Sequence, residues 1–184
     1  MATMVSVLRE REREAVAREA TLRYEIRSAR ASDLPLLEWF GEHRSMRLVE
    51  AASWAHVQAG TVLFLVADVG AFPVGQVKIA LMHDEDAKAD GKRSGYLYGL
   101  RVFGPFRRLG IGTGLIEQAE ELLRDRGFRW ATIAVERQNP DARRLYDRLG
   151  YVVVREVHRS WSYVDPEGME HPVEVDEVLL HKAL

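Results

Sequence analysis

The stretch "LRVFGPFRRLGIGTGLIEQAEELL", Leu100 to Leu123, constrains this chain more than any other. An apolar segment runs into an arginine pair, and Gly110, Gly112 and Gly114 fall within five residues at the start of a helical pattern. Leu115, Ile116, Ala119, Leu122 and Leu123 recur at three- and four-residue spacing, so the stretch predicts an amphipathic helix that ends at Arg126-Gly127. A strand, a glycine-rich turn and a helix in that order make a nest for an anion. Glycine lets the backbone approach an oxyanion closely, unpaired N–H groups of the first turn point at it, and the helix dipole adds roughly half a positive charge. A pyrophosphate fits such a nest. The glycines alone could serve only a tight turn; Arg107 and Arg108 favour the anion, although each could equally be a solvated charge. Two nucleotide motifs fail on spacing: a Walker A loop needs Gly-Lys-Ser/Thr, and a Rossmann fingerprint needs glycine where Leu115 stands.

With 184 residues the chain is expected to form one domain that buries roughly 70% of its unfolded surface. A formal net charge of -2 offers no sequence-wide attraction to nucleic acid or to an anionic membrane, so any basic site is local. The absence of cysteine excludes disulfides, thiol nucleophiles and thiolate metal sites, and the six histidines are scattered without ligand spacing, so no metal is expected. Neither a Gly-x-Ser-x-Gly elbow nor a His-Glu-x-x-His pair is present. The opening "MATMVSVLREREREAVAREA" is charged where a signal peptide needs an apolar core, and no segment reaches the ~18 apolar residues of a membrane span. A cytoplasmic enzyme is the expectation.

Along the chain, residues 1–20 alternate Arg and Glu and suit a charged extension, helical or disordered, ahead of a domain over 21–184. "LRYEIRSA" alternates like a strand, and "ASDLPLLEWFGEH" predicts a helix with Ser32 or Asp33 at its cap and Pro35 in its first turn. A second helix is expected over Ala51–Ala59, then a hairpin over Thr61–His83, an exposed polar loop over Asp84–Gly95, and a strand from Tyr96. "FRWATIAVE" reads as a strand covered on both faces, and "NPDARRLYDRLG" as a helix capped by Asn139, opened by Pro140 and closed on Gly150. Two long antiparallel strands end the chain. The sum is a mixed α/β domain of six to seven strands with about four helices.

"RRLGIG" matches the Arg/Gln-x-x-Gly-x-Gly/Ala signature of the GNAT superfamily of N-acetyltransferases, and "VERQNPDARRLYDRLGY" resembles that superfamily's following strand, helix and strand through Asn139, Ala142, Leu145, Tyr146, Gly150 and Tyr151. The resemblance covers about Leu22 to Leu184. It implies a GNAT-like, mostly antiparallel central sheet with a V-shaped splay between its two central strands. It also implies acetyl-CoA as co-substrate, its pyrophosphate on the backbone of Arg108, Leu109, Gly110, Ile111, Gly112 and Thr113, and its pantetheine arm along Leu100 to Val102. Asn139 would lie near that arm, Arg107 and Arg143 (or Arg144) would reach phosphate, and an N–H at Val102 or its neighbour would polarise the thioester carbonyl.

The acceptor implied is a primary amine, small molecule or protein. Stripping a proton from an amine of pKa ~10.4 at pH 7 costs about 4.6 kcal/mol, so a base or a water relay is needed. Family members carry a carboxylate on the strand before the pyrophosphate loop; here Tyr96, Tyr98 and Gly99 stand there instead. The remaining candidates are a water chain from Tyr98 or Tyr96, Glu136 at the end of the next strand, or His83, and the residues alone do not choose. Tyr146 matches the tyrosine that hydrogen-bonds or protonates the departing thiolate. Trp39, Phe40, Trp54, Trp161 and Tyr163 fall in segments that flank the acceptor mouth in this fold, and the acidic loop over 84–90 could steer a cationic acceptor. The missing strand carboxylate leaves open a rival, an acyl-CoA-binding regulatory protein without turnover. A homodimer is common in the superfamily.

Overall fold

The computed structural model describes residues 22–83, 89–90 and 93–184; residues 1–20 and most of the acidic loop lie outside them. The chain opens with β1 (Glu25–Ser28), then three 3-10 turns over residues 31–33, 36–38 and 44–46, then α1 (Arg47–Gln58). β2 (Val62–Val69) and β3 (Phe72–Ala80) form the expected hairpin, and β4 (Met82–His83) pairs with β5 (Ala89–Asp90) in a small ribbon. β6 (Ser94–Val102) leads into α2 (Ile111–Asp125); β7 (Trp130–Glu136), α3 (Pro140–Arg148), β8 (Val152–Val164) and β9 (Glu170–Ala183) follow. Seven strands make one sheet in the order β1-β2-β3-β6-β7-β9-β8, antiparallel throughout except for β6 beside β7.

Period-two alternation sends neighbouring residues of one strand to different layers. On β3, Val77 and Ile79 join Leu97, Ile133 and the α2 residues Leu115, Ile116 and Leu123 in the main core. On β2, Phe64 and Val66 join Leu37 and Trp39 beneath α1 and the 3-10 turns. The sheet therefore has α2 on one face and α1 on the other, and the polar members of β3, Gln76 and Lys78, are buried with them.

The segment expected to be one helix from Ser32 is instead a run of 3-10 turns ahead of α1. Trp39, Phe40 and Gly41 take positive φ in succession (44°, 61° and 95°), which ends any helix. The buried Trp39 ring explains it: its Nε1 donates to the Pro73 carbonyl at 2.8 Å, and this anchor outweighs helix propensity. Phe40 is left outward, 89% exposed. α1 begins four residues earlier than the pattern suggested, and no helix of the described residues is long and apolar enough to cross a membrane.

Candidate active site

β6 pairs with β7 only over Ser94–Leu97, against Trp130–Ile133. The pairing stops at a bulge. On its other side Tyr98 faces Lys78 and Arg101 faces Gln76, so Gly99 and Leu100 together oppose the single residue Val77. Gly99 sits at φ +62°, where glycine carries no Cβ penalty, and the extra residue bends the strand away from β7. Beyond Leu97 the two strands part. The cleft that opens is about 200 Å³ and is lined by Gly99, Leu100, Ala134, Glu136, Asn139 and Tyr146.

At the far end of β6 the loop Arg107–Gly110 is exposed and delivers the chain to α2, with Gly110 at φ +82° as the N-cap. N–H groups of the first turn, from Ile111 to Thr113, have no carbonyl one turn earlier to bond. The three glycines do three different jobs. Gly110 makes the turn; Gly112 leaves room beside Leu145 and Val102, which a Cβ there would meet at 3.6 and 3.8 Å; Gly114 packs under Tyr24 and Ile26, 3.0 and 3.2 Å from where its Cβ would be. Gly114 is thus accounted for by packing, which leaves Gly110 and Gly112 at the turn and the first helical residues. Arg107 folds back, its Nε donating to the Val102 carbonyl at 3.0 Å, while Arg108 holds φ 63° on the exposed loop.

α3 brings the second motif to the cleft. Asn139 Oδ1 accepts from the Ala142 N–H at 3.1 Å, capping the helix, and the same residue lines the cleft. Tyr146, 5% exposed, also lines it, and burial pushes its phenol up to about 12. Arg143 and Arg144 pair with Asp147 and Asp141 on their own helix.

The base candidates separate. Tyr98 lines the cleft, but burial pushes its phenol up to about 12 against a bond to Ser53 that pulls it down, so at neutral pH it keeps its proton. Tyr96 is buried and stacked on Tyr98 at 5.7 Å. His83 ends the β4–β5 ribbon, and its side chain lies outside the described part of the structure. Glu136 lines the cleft, and directly across from it on β9 stands Glu177, which lines it too. Sequence reasoning missed Glu177 because "VEVDEV" offers several acidic positions, and only the β7–β9 register selects one of them.

A second cavity, about 260 Å³, opens between α1, the 3-10 turns and β6. At its floor Glu50 of α1 accepts from Arg101 of β6 and pairs with Lys78 of β3, whose Nζ lies 2.6 Å from Oε2. Gln76 Nε2 joins this cluster to the cleft, reaching Glu50 Oε1 at 3.4 Å and the Gly99 carbonyl at 3.2 Å. Lys78 is only 3% exposed, and desolvation pulls its ammonium below the usual lysine range against the attraction of Glu50. Desolvation lowers the Arg101 guanidinium in the same way. A lysine in the otherwise apolar run "VGQVKIALMH" was the available signal: a charge on a covered strand requires a buried partner. Of the aromatics, Trp39 lies beside this cavity, stacked on Phe103 at 5.5 Å and under the Arg101 guanidinium at 5.9 Å. Trp161 and Tyr163 lie together on the β8–β9 hairpin.

Comparison with known proteins places this geometry. The profile of the acetyltransferase (GNAT) family matches residues 23–151, leaving the β8–β9 hairpin outside the match. A curated relative, acetyl transferase GW6a of Oryza sativa subsp. japonica, is 41% identical over 78 residues, 42% of this chain and 16% of that protein. The chain thus matches about a sixth of that relative's length. Among solved structures, Arabidopsis thaliana NAA60 in complex with acetyl-CoA superposes with TM-score 0.64 at 21% identity, covering 88% of this chain and 99% of that one. Salmonella typhimurium yncA with acetyl-CoA gives 0.66 at 16% identity, covering 88% and 94%.

Proposed function

Because the chain belongs to the acetyltransferase (GNAT) family, we propose that it moves an acetyl group from acetyl-CoA to a primary amine by direct attack, with no acyl-enzyme. One observation carries this: the edge of β6 that has left β7 and Tyr146 line a single cleft, and the same strand runs on through the loop to the open N-terminus of α2. The residues present fit the donor. A diphosphate is accommodated by the N–H groups of Ile111, Gly112 and Thr113, and an extended amide arm by the edge of β6 from Tyr98 to Val102 that has left β7.

Acetyl-CoA brings a thioester carbonyl carbon open to attack. The amine nitrogen bonds to that carbon as the C–S bond breaks; the thiolate keeps the bonding pair and the amine sheds one proton. Tyr146 faces the cleft and donates a hydrogen bond to the sulfur. With its phenol near 12 and a thiol at ~8.5, full proton transfer would be uphill by about 5 kcal/mol, so donation without transfer is its role. The amine proton passes, directly or through water, to the Glu136 and Glu177 carboxylates that line the cleft on the side of β7 and β9. These two replace the carboxylate that β6 lacks at Tyr96 and Tyr98.

Calorimetry with acetyl-CoA, followed by amine-dependent CoA release, tests the proposal. Micromolar binding and release that requires an amine are expected. No acetyl-CoA binding would overturn the donor site, and binding without release to any amine would overturn turnover.

A further inference from the structure

The cavity over Glu50 holds buried nitrogens that no acceptor reaches. Around it Arg47, Lys78 and Arg101 stand among the carboxylates of Glu38, Glu42 and Glu50, and Glu38 is used up by Arg47 through two contacts of 2.5 and 2.8 Å. Glu50 therefore serves two cations at once. Two nitrogens at this site have no hydrogen-bond partner among the described residues: the Arg101 Nε–H is buried without an acceptor, and His43 Nε2 is buried with the Glu42 carboxylate 3.8 Å away, beyond hydrogen-bonding reach. A buried N–H without an acceptor is destabilising, and an incoming anion would supply one. Arg101 and His43 line the cavity, whereas Lys78 lies behind it.

Position links the cavity to the reaction. Arg101 is two residues, roughly 7 Å of strand, beyond the Gly99 bulge at which the cleft opens, and Gln76 bonds both sites. The walls contributed by Leu34, Leu37 and Ala51 are apolar, so the charged groups at the floor are shielded from solvent.

Resting on the acetyl-transfer proposal, we infer that the acceptor is an amine that also carries a carboxylate, which Arg101 and His43 bind in this cavity while the amine faces the cleft. The carboxylate accepts from Arg101 Nε and from His43, supplies the acceptor that these buried nitrogens lack, and orients the amine toward the β6 bulge. Its source is either a free amino acid or an acidic side chain next to a peptide amine.

The test is a matched acceptor panel on the full chain with acetyl-CoA: α-amino acids, their carboxamides, and dipeptide amides whose only carboxylate is an Asp or Glu side chain. Acceptors with a carboxylate are expected to exceed the carboxamides in kcat/KM by about 30-fold, the scale of one charge-assisted contact. Response from the free amino acids or from the acidic dipeptides identifies the source. In Arg101→Gln the ratio is expected to collapse to within about threefold, and Arg101→Lys to restore part of it, which a merely misfolded variant would not do. Calorimetry of each variant with acetyl-CoA reports separately on the donor site. Equal rates for carboxylates and carboxamides, or no response to any carboxylate, with acetyl-CoA still bound, overturns the subsite and leaves acetyl transfer standing; loss of acetyl-CoA binding in the unmodified chain removes the premise itself.

Discussion

The proposed donor nest and the proposed acceptor cavity flank the same strand, β6, and are built from opposite materials. The nest is backbone: glycines, N–H groups and a helix terminus, contributed by consecutive residues. The cavity is side chain: Glu50, Lys78 and Arg101 come from a helix and two strands up to 51 positions apart. A backbone site binds whatever presents the right anion and tolerates change in its neighbours. A side-chain site is specific and fragile, since removing one charge strands another.

Inserting a side chain into the nest should have the largest effect. Gly112→Asp has space for its Cβ, so the fold should persist, yet a carboxylate would stand where the proposed diphosphate lies; acetyl-CoA affinity should fall by at least about 100-fold, read by calorimetry, with the melting temperature nearly unchanged. Tyr146→Phe tests whether the two sites meet at the sulfur: kcat should drop by roughly ten- to a thousand-fold while the KM for acetyl-CoA moves little. An unchanged kcat would make Tyr146 a packing residue only. Among carboxylates, Glu177→Gln should cost more turnover than Glu136→Gln, because Glu136 is exposed and Glu177 is not; equal losses would mean the pair acts as one group.

Fragility of the cavity is open to measurement too. Glu50→Gln leaves Lys78 and Arg101 buried without a counter-ion and should destabilise the fold by about 3–5 kcal/mol in urea melts, whereas a loss under 1 kcal/mol would mean the cluster is well hydrated. The smallest effect concerns His43. Burial, reinforced by the nearby Arg101 charge, holds its imidazole below 6.5, against a weaker pull from Glu42 and Glu50. The unfolded chain therefore takes up this proton first as pH falls through about 6.5, and His43 contributes a loss of stability on acidification. A carboxylate bound beside it would reverse the shift. Imidazole NMR titration should show the His43 pKa rising when a carboxylate-bearing amine is added and staying put with its carboxamide.

Much of this was legible early, for identifiable reasons. The α2 and α3 helices, with the end of α2 at Arg126-Gly127 and the Asn139 cap of α3, follow from local rules that need only a dozen residues of context. The helix expected from Ser32 did not form because Trp39 answers to Pro73, 34 residues away, rather than to its neighbours. Gly99 inside a strand pattern was a signal of a bulge, yet its consequence, the parting of β6 from β7, requires knowing which strands lie on either side.

By itself, the sequence determined the backbone-built half of the protein: the strand, glycine-rich loop and helix proposed to hold an anion, and the family to which they belong. Local conformation depends on neighbours along the chain, and those are written in order. The tertiary structure alone decided the side-chain half. The Glu136–Glu177 juxtaposition depends on sheet register, and the Glu50–Lys78–Arg101 cluster on α1 lying over β3 and β6. Charges interact through space with strengths set by distance and burial, and neither quantity exists until the chain has folded.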